Sequence, residues 1–185
     1  MTEREHDLGA LLLESITQEL HRIKVRAEKA IAQLRDDAQL HVTLDAESNS
    51  IAIIVMHLSG NMLSRWTDFL TSDGEKPSRN REAEFESPGK MTRGELMAAW
   101  ERGWDCLFGA LDALKPADLT ATVRIRGEAF GALEAIVRQF DHYASHIGQI
   151  VFLAKHLEWE RWQSLSIPRK PSSRPAPPSA GPGKR

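Results

Sequence analysis

Apolar residues recur at three- and four-residue intervals along four long segments, and this spacing predicts four amphipathic helices. The segments cover about residues 5–34, 48–70, 92–115 and 128–158. The second is apolar on nearly every side over its first half, so it should be the most buried helix. The other three stripes consist of Leu8, Leu12, Ile16, Leu20, Ile23, Ala27, Ala30 and Leu34; of Leu96, Trp100, Trp104, Leu107, Leu111 and Leu114; and of Leu133, Ile136, Val137, Phe140, Ile147, Ile150, Val151 and Leu153. The pattern predicts an all-α fold, a four-helix bundle.

Local signals mark the ends of the third helix. Thr92 and Glu95 have the spacing of a capping box, and Pro116 ends the helical pattern. Residues 122–126 alternate between apolar and polar, which predicts a short extended piece before Gly127. We expect no β-sheet, since no stretch rich in β-forming residues is long enough to build one.

The connection between the second and third helices, residues 71–91, is long for a helical bundle. Nine of its 21 residues are charged. Loops of this length usually carry a function or are disordered. Two alternatives therefore stay open: the loop lies across one end of the bundle and shapes a site, or it is a solvated excursion.

Composition predicts one folded domain, residues 1–167, followed by a disordered tail, residues 168–185. The chain has 185 residues, of which 41% are hydrophobic and 27% charged. The tail is basic and rich in Pro, Ser and Gly. The body before it is therefore more acidic than the net charge of −2, and we expect no nucleic-acid partner.

The remaining composition signals predict a cytoplasmic protein without a membrane anchor. The N-terminal segment is charged and lacks the apolar stretch of a signal peptide. No apolar run is long enough to span a bilayer. Cys106 is the single cysteine, which argues against an intrachain disulfide or a cysteine-rich zinc site. We expect Cys106 to have a buried packing role.

Three histidines form the candidate site. His142 and His146 are four residues apart, which places both rings on one face of the fourth helix. His57 lies in the apolar run of the second helix, where burial favours the neutral ring. Three neutral imidazoles beside an open position are the ligand set of a catalytic divalent metal. In the alternative reading, His57 is a core histidine bonded to a carbonyl or carboxylate, and the pair arises by chance.

Several polar residues are candidates for the pocket or for contacts to the metal ligands. Asn61 and Arg65 follow His57 along one side of the second helix, and Gln149 lies near the histidine pair. Gln139 and Asp141 are further candidates there. Arg65, Arg79 and Arg81 have the side chain that binds a carboxylate in bidentate fashion; the alternative is that these charges are solvated.

Other catalytic arrangements find no support in the sequence. The residue after His142 is Tyr143, so the chain lacks the glutamate of an HExxH metalloprotease motif. His156 lies ten residues, or about 15 Å, beyond His146 and is too far away to share a metal. We expect His6, His21 and His41 to be surface residues.

The chain resembles the DinB/YfiT-like superfamily, and within it an uncharacterised branch named only as a domain of unknown function. The resemblance is carried by residues 57–86, 122–157 and 162–169, together with the helix pattern. It implies a four-helix bundle with nickel or zinc bound by His57, His142 and His146. Some members of that superfamily are transferases or isomerases that use low-molecular-weight thiols, and others are proposed hydrolases.

Two functions therefore stay open. The first is a metal-dependent enzyme, a thiol S-transferase or hydrolase, that acts on a small-molecule substrate with a low-molecular-weight thiol as co-substrate. The second is a non-catalytic bundle that binds a metal or a partner. The apolar helix faces and five tryptophans are also compatible with a homodimer interface.

Overall fold

The computed structural model describes residues 3–86 and 91–167. Five α-helices lie in these ranges: α1 (Glu3–Ile31), α2 (Ile51–Trp66), α3 (Arg81–Phe85), α4 (Arg93–Ala113) and α5 (Ala132–Leu157). Two 3₁₀ helices (Asp37–His41 and Pro116–Thr120) and two strands, β1 (Thr122–Ile125) and β2 (Glu128–Gly131), complete the described elements. The protein is therefore mostly helical, with a small sheet and one short extra helix, and it is not a clean all-α four-helix bundle.

A β-hairpin corrects the expectation that no sheet would form. β1 pairs with β2 in antiparallel register, with Val123 opposite Phe130. Arg126 and Gly127 form the turn with φ values of 56° and 78°, the left-handed conformation that two-residue hairpin turns require. The extended piece predicted at residues 122–126 is confirmed as β1, whereas the four residues of β2 do not show the alternation that would have predicted its partner strand. The hairpin also takes the first residues assigned to the fourth helix, so α5 begins at Ala132.

The helix ends follow from local caps. The predicted capping box is confirmed, since Thr92 Oγ1 accepts from the Glu95 N–H and the Glu95 carboxylate accepts from the Thr92 N–H. The second helix is shorter than the predicted 48–70. Ser50 caps its start, and Asp68 adopts a positive φ of 50° just beyond its end.

Helix α2 is the buried centre of the fold, as its apolar first half predicts, and it packs along α4. The two helices approach closely at Gly103, where an added Cβ would lie 3.0 Å from the Ser59 Cα. The Ser59 hydroxyl donates to the Ala99 carbonyl across this crossing at 2.6 Å. This tight contact holds α2, and with it His57, at a defined position.

Helix α1 packs along α5, but two predicted stripe positions are wrong. Leu8 is 68% exposed and Val137 is 51% exposed. Near its N-terminus α1 rests on Pro116 through Gly9, and α5 buries Ile136 in place of its neighbour Val137. The apolar pattern shows that a helix has a wide apolar face. It does not show which edge of that face packs against a neighbouring helix.

The charged connection is ordered across residues 71–86 and shapes one end of the molecule. Asp73 accepts the backbone N–H groups of Arg126 and Gly127 at 2.8 and 2.7 Å, which ties the loop to the hairpin turn. The Ser64 hydroxyl of α2 donates to the Gly74 carbonyl at 2.9 Å. Of the two alternatives for this loop, the first therefore holds for residues 71–86. Residues 87–90 and the predicted tail, 168–185, lie outside the described residues.

Among the described helices, none combines the length and the apolar character that crossing a membrane requires.

The buried packing role predicted for Cys106 is only partly met. The side chain is partly buried, and its Sγ lies 3.5 Å from the Thr67 Oγ1.

Candidate metal centre

The structure brings three histidines together between α2 and α5; we call them the histidine cluster. His57 projects from α2 and is 5% exposed, while His142 and His146 project from α5 and are half-buried. The Nε2 atoms of His57 and His142 are 3.1 Å apart. One ring nitrogen from each histidine lies within 4.8 Å of the other two. The three residues are close enough to hold one metal ion.

The donor set and its spacing fit a divalent metal. Two ligand nitrogens on a tetrahedral zinc ion lie about 3.4 Å apart, as follows from zinc–nitrogen bonds of about 2.0–2.1 Å. The separation of 3.1 Å between His57 and His142 is close to that value, and a ring nitrogen of His146 lies within 4.8 Å of both. Imidazole nitrogen suits zinc, nickel, copper and iron, so the chemistry of the ligands does not select one of them.

A buried carboxylate orients His57. The His57 Nδ1 lies 2.9 Å from the Glu84 Oε2, and both side chains are almost fully buried. Although burial favours the neutral acid, hydrogen bonds from Arg79 and His57 hold the pKa of Glu84 below its usual value. An ionised Glu84 only accepts, so His57 donates to it through Nδ1–H. The Nε2 atom, which faces His142, is then the atom that would bind a metal.

The local sequence explains how Glu84 reaches α2. Asn80 caps the short helix α3 by accepting from the Ala83 N–H at 3.2 Å. The Glu84 carboxylate packs on Gly60 of α2, where an added Cβ would lie 2.8 Å from its Cδ. The Arg79 guanidinium donates to both carboxylate oxygens at 2.7 and 2.8 Å. A glycine on α2 and an arginine from the loop therefore hold the carboxylate in place.

The two histidines of α5 are held in the neutral form. Burial, assisted by the neighbouring His146 and His57, lowers the pKa of His142 to about 3. Burial and His57 also lower the pKa of His146, against a hydrogen bond to Gln149 that raises it. Both rings are therefore free of a second proton at neutral pH, and their lone pairs are available for a metal.

A hydrogen-bonded chain in the core fixes α5 beside α2. The Trp66 Nε1 donates to the Tyr143 hydroxyl at 2.9 Å, and that hydroxyl donates to the Asn61 Oδ1 at 2.9 Å. Burial raises the pKa of Tyr143, so the phenol stays protonated. Because Tyr143 directly follows His142, this chain sets the rotation of α5 that points the histidines at His57.

Residues 7–171 match the model of a family described as a protein of unknown function, DUF1572. The chain belongs to the DUF1572 family. No curated protein and no solved structure matches it. The broader resemblance to the DinB/YfiT-like superfamily is not shown by these comparisons.

In this DUF1572 member a cavity of about 570 Å³ opens beside the histidine cluster, and we call it the arginine pocket. Its walls come from α2, α3, α5 and the two loops next to them. The lining residues are His57, Asn61, Arg65, Arg79, Arg81, Phe85, Arg126, Arg138, Gln139, Asp141, His142, Ser145 and His146. Six of the seven residues named from the sequence for the pocket or for contacts to the ligands lie on its walls. The seventh, Gln149, lies outside it and contacts His146, with its Oε1 3.2 Å from the Nδ1.

The two inner arginines bind carboxylates of the protein itself. Arg79 is buried and engaged with Glu84 and Glu75, and Arg65 binds Glu75 and the Gly74 carbonyl. Both are internal ion pairs of the protein rather than free or solvated charges. Glu75 and Glu84 lie only four and five positions from Arg79 in the chain, whereas Glu75 lies ten positions from Arg65.

The other histidines lie away from the cluster. His21 is exposed and stacks on Phe108 with ring centroids 3.7 Å apart. His41 is half-buried rather than a surface residue, with its Nε2 2.9 Å from the Met91 carbonyl oxygen. His156 is exposed on α5, and the side chain of His6 lies outside the described part of the protein.

Sequence reasoning missed Glu84 and Phe85. Glu84 holds the His57 ring, and Phe85 lies against it with ring centroids 4.6 Å apart. Their sequence signal is weak: a helix-capping Asn80 precedes an acidic segment inside a long loop. The cap predicts a helical turn there, but nothing local shows that this turn docks on α2.

Proposed function

We propose that this protein is a divalent-metal-dependent enzyme of the DinB-like superfamily that acts on a small-molecule substrate. The observation that carries the proposal is the convergence of three imidazoles, two on α5 and one on α2, at the wall of a cavity. His57, His142 and His146 would hold the metal, with nickel or zinc as the preferred ions. The ordered carboxylate behind His57 supports a site that is built rather than accidental.

The metal supplies Lewis acidity when bound, since it lowers the pKa of a coordinated water or thiol. The residues of the chain then position the reactants and move protons. Asp141 lines the pocket and is exposed, and its carboxylate has no hydrogen-bond partner among the described residues. Its carboxylate is free to accept a proton from a nucleophile, which makes it the candidate general base.

Within this class we propose a low-molecular-weight thiol S-transferase or a hydrolase. Neutral imidazole ligands leave the positive charge of the metal uncompensated, and this favours an anionic nucleophile such as a thiolate or hydroxide. The cavity of about 570 Å³ is of a size that admits a small-molecule thiol and an electrophile.

The test is metal content followed by turnover. Protein purified without chelators should contain about one divalent metal per chain by elemental analysis. His57→Ala and His142→Ala should release the metal. His156→Ala should not, because His156 is an exposed histidine of α5 away from the cluster. Metal-free protein, or equal metal content in all three variants, would rule out the proposal.

Turnover separates an enzyme from a metal-binding protein. Metal-loaded protein is assayed with a panel of thiols, each paired with epoxides, and with ester and amide substrates. Asp141→Asn should reduce kcat by about a hundredfold at unchanged metal content, with Glu134→Gln on the same helix as the control.

The second candidate is a non-catalytic metal-binding or partner-binding protein. It is favoured by the engagement of Glu84, whose two oxygens bind Arg79 and His57 and therefore cannot accept a substrate proton. This second candidate predicts about one metal ion per chain and no turnover with any of the thiols, epoxides, esters or amides tested.

A further inference from the structure

The arginine pocket has more positive charge than its carboxylates neutralise. Five of its lining residues are arginines, and Asp141 is the one acidic residue among the described lining residues. Behind the wall, Glu75 is shared by the three guanidinium groups of Arg65, Arg79 and Arg126. The charge that remains lines one concave surface, where the fields of neighbouring arginines add and attract an anion more strongly.

Two arginines are held on aromatic rings instead of on carboxylates. The Arg138 guanidinium lies 4.7 Å from the centre of the Phe130 ring, and it has no carboxylate partner among the described residues. The Arg81 guanidinium lies 4.9 Å from the centre of the Phe85 ring, and its one carboxylate contact, to exposed Glu82, is 3.5 Å long. A ring face orients a guanidinium without using its N–H groups, so these donors stay available.

A buried donor on the same wall also lacks a partner. Arg65 is 8% exposed, and its Nε has no hydrogen-bond partner among the described residues. Its other two nitrogens bind Gly74 and Glu75. A buried N–H without an acceptor is costly, and it shows that this part of the wall has fewer acceptor atoms than donors.

We propose that the arginine pocket binds the oxyanion group of a small molecule, a carboxylate or a phosphate, through Arg138 and Arg81. The inference rests on the proposed function in one respect: the molecule is taken to be the substrate that reacts at the histidine cluster. Binding of the anion itself needs only the arginines.

The spacing of residues on α5 places the anion relative to the cluster. Arg138 precedes His142 by four residues, so the two side chains leave the same face of the helix about 6 Å apart along its axis. A ligand that contacts both therefore has its anionic group a few bonds from its reacting atom. This selects small organic acids and phosphate esters over neutral electrophiles.

Calorimetric titration of the full chain with inorganic phosphate and, separately, with glutarate tests the inference. The titrations use protein as purified and protein dialysed against a chelator, with metal content measured in both. We expect saturable binding of at least one anion in both preparations. Arg138→Gln should weaken it about tenfold because a charge-assisted, bidentate contact is lost. Arg138→Lys, which keeps the charge but not the fork, should weaken it less.

Arg102→Gln, a change at an exposed arginine of α4 outside the pocket, is the matched control and should bind like the wild type. Absence of binding by both anions, or equal affinities of Arg138→Gln and Arg102→Gln, overturns the inference. Binding that requires the metal and is unaffected by Arg138→Gln also overturns it, since the anion then sits on the metal. Because Arg138→Gln should retain its metal, loss of the anion site and loss of the metal site are distinguishable.

Discussion

The His57 Nδ1 and the Glu84 Oε2 are 2.9 Å apart, and both side chains are almost fully buried. The ionised carboxylate selects one tautomer of the ring and leaves the opposite nitrogen free for the histidine cluster. The pair therefore joins the charged loop to the candidate metal centre. Its consequences can be tested with single substitutions.

Glu84→Gln should lower zinc affinity about tenfold or more, because the carboxylate that orients a ligand histidine is lost. It should also lower the free energy of unfolding by about 3 kcal/mol, since buried Arg79 keeps only Glu75 as a carboxylate partner. Zinc affinity is measured by competition with a chromophoric chelator, and stability by urea denaturation. Glu82→Gln on the exposed face of the same helix should change neither quantity, and equal behaviour of the two variants would contradict the role of Glu84.

Gly60→Ala should weaken zinc binding although alanine favours helix formation. The new Cβ would lie 2.8 Å from the Glu84 Cδ, so the carboxylate must move away from α2 and from His57. Gly109→Ala on α4 is the control, because its Cβ would meet no atom within 4 Å. That variant should gain up to about 1 kcal/mol from helix propensity. A stabilised Gly60→Ala protein with unchanged zinc affinity would show that Glu84 does not need this close approach.

The metal-free protein should lose stability as the pH falls from 7 to 5. Burial lowers the pKa of His142 to about 3 and also lowers the pKa of His146, so the folded state takes up fewer protons than the unfolded chain in this range. Each of these histidines contributes a slope of up to about 1.4 kcal/mol per pH unit below its unfolded pKa.

Urea denaturation at pH 5, 6 and 7 in the presence of a chelator measures this slope. His142→Gln should reduce it, because a group that titrates differently in the two states has been removed. His156→Gln, at an exposed position of α5, should leave the slope unchanged. A slope that is the same in all three proteins would assign the acid sensitivity to other groups.

Tyr143→Phe should lower the free energy of unfolding by about 2 kcal/mol, since the Trp66 N–H and the Asn61 carbonyl oxygen both lose a buried partner. The phenylalanine ring keeps most of the packing between α2 and α5, so the protein should still bind one metal. Thermal unfolding and elemental analysis distinguish the two effects. Loss of the metal at unchanged stability would mean that the hydroxyl acts on the site directly.

The sequence by itself determined the features that depend on neighbours along the chain. The spacing of apolar residues predicts the four long helices, and the capping box of Thr92 and Glu95 predicts the start of α4. The helical repeat places His142 and His146 on one face of their helix. Each of these rests on residues within a few positions of one another, where backbone geometry alone decides the outcome. Periodicity also identified His57 as a polar residue in the most buried helix.

Only the tertiary structure decided what surrounds these residues. Glu84 meets His57 across 27 positions of the chain, and Tyr143 meets Asn61 across 82. The contacts of the hairpin turn with Asp73 and Glu75, which lie more than fifty positions earlier, likewise depend on how the elements dock. Such contacts are set by shape and charge between surfaces that form only after the helices pack. No local pattern therefore separates the arginines that hold the fold from those that face the pocket.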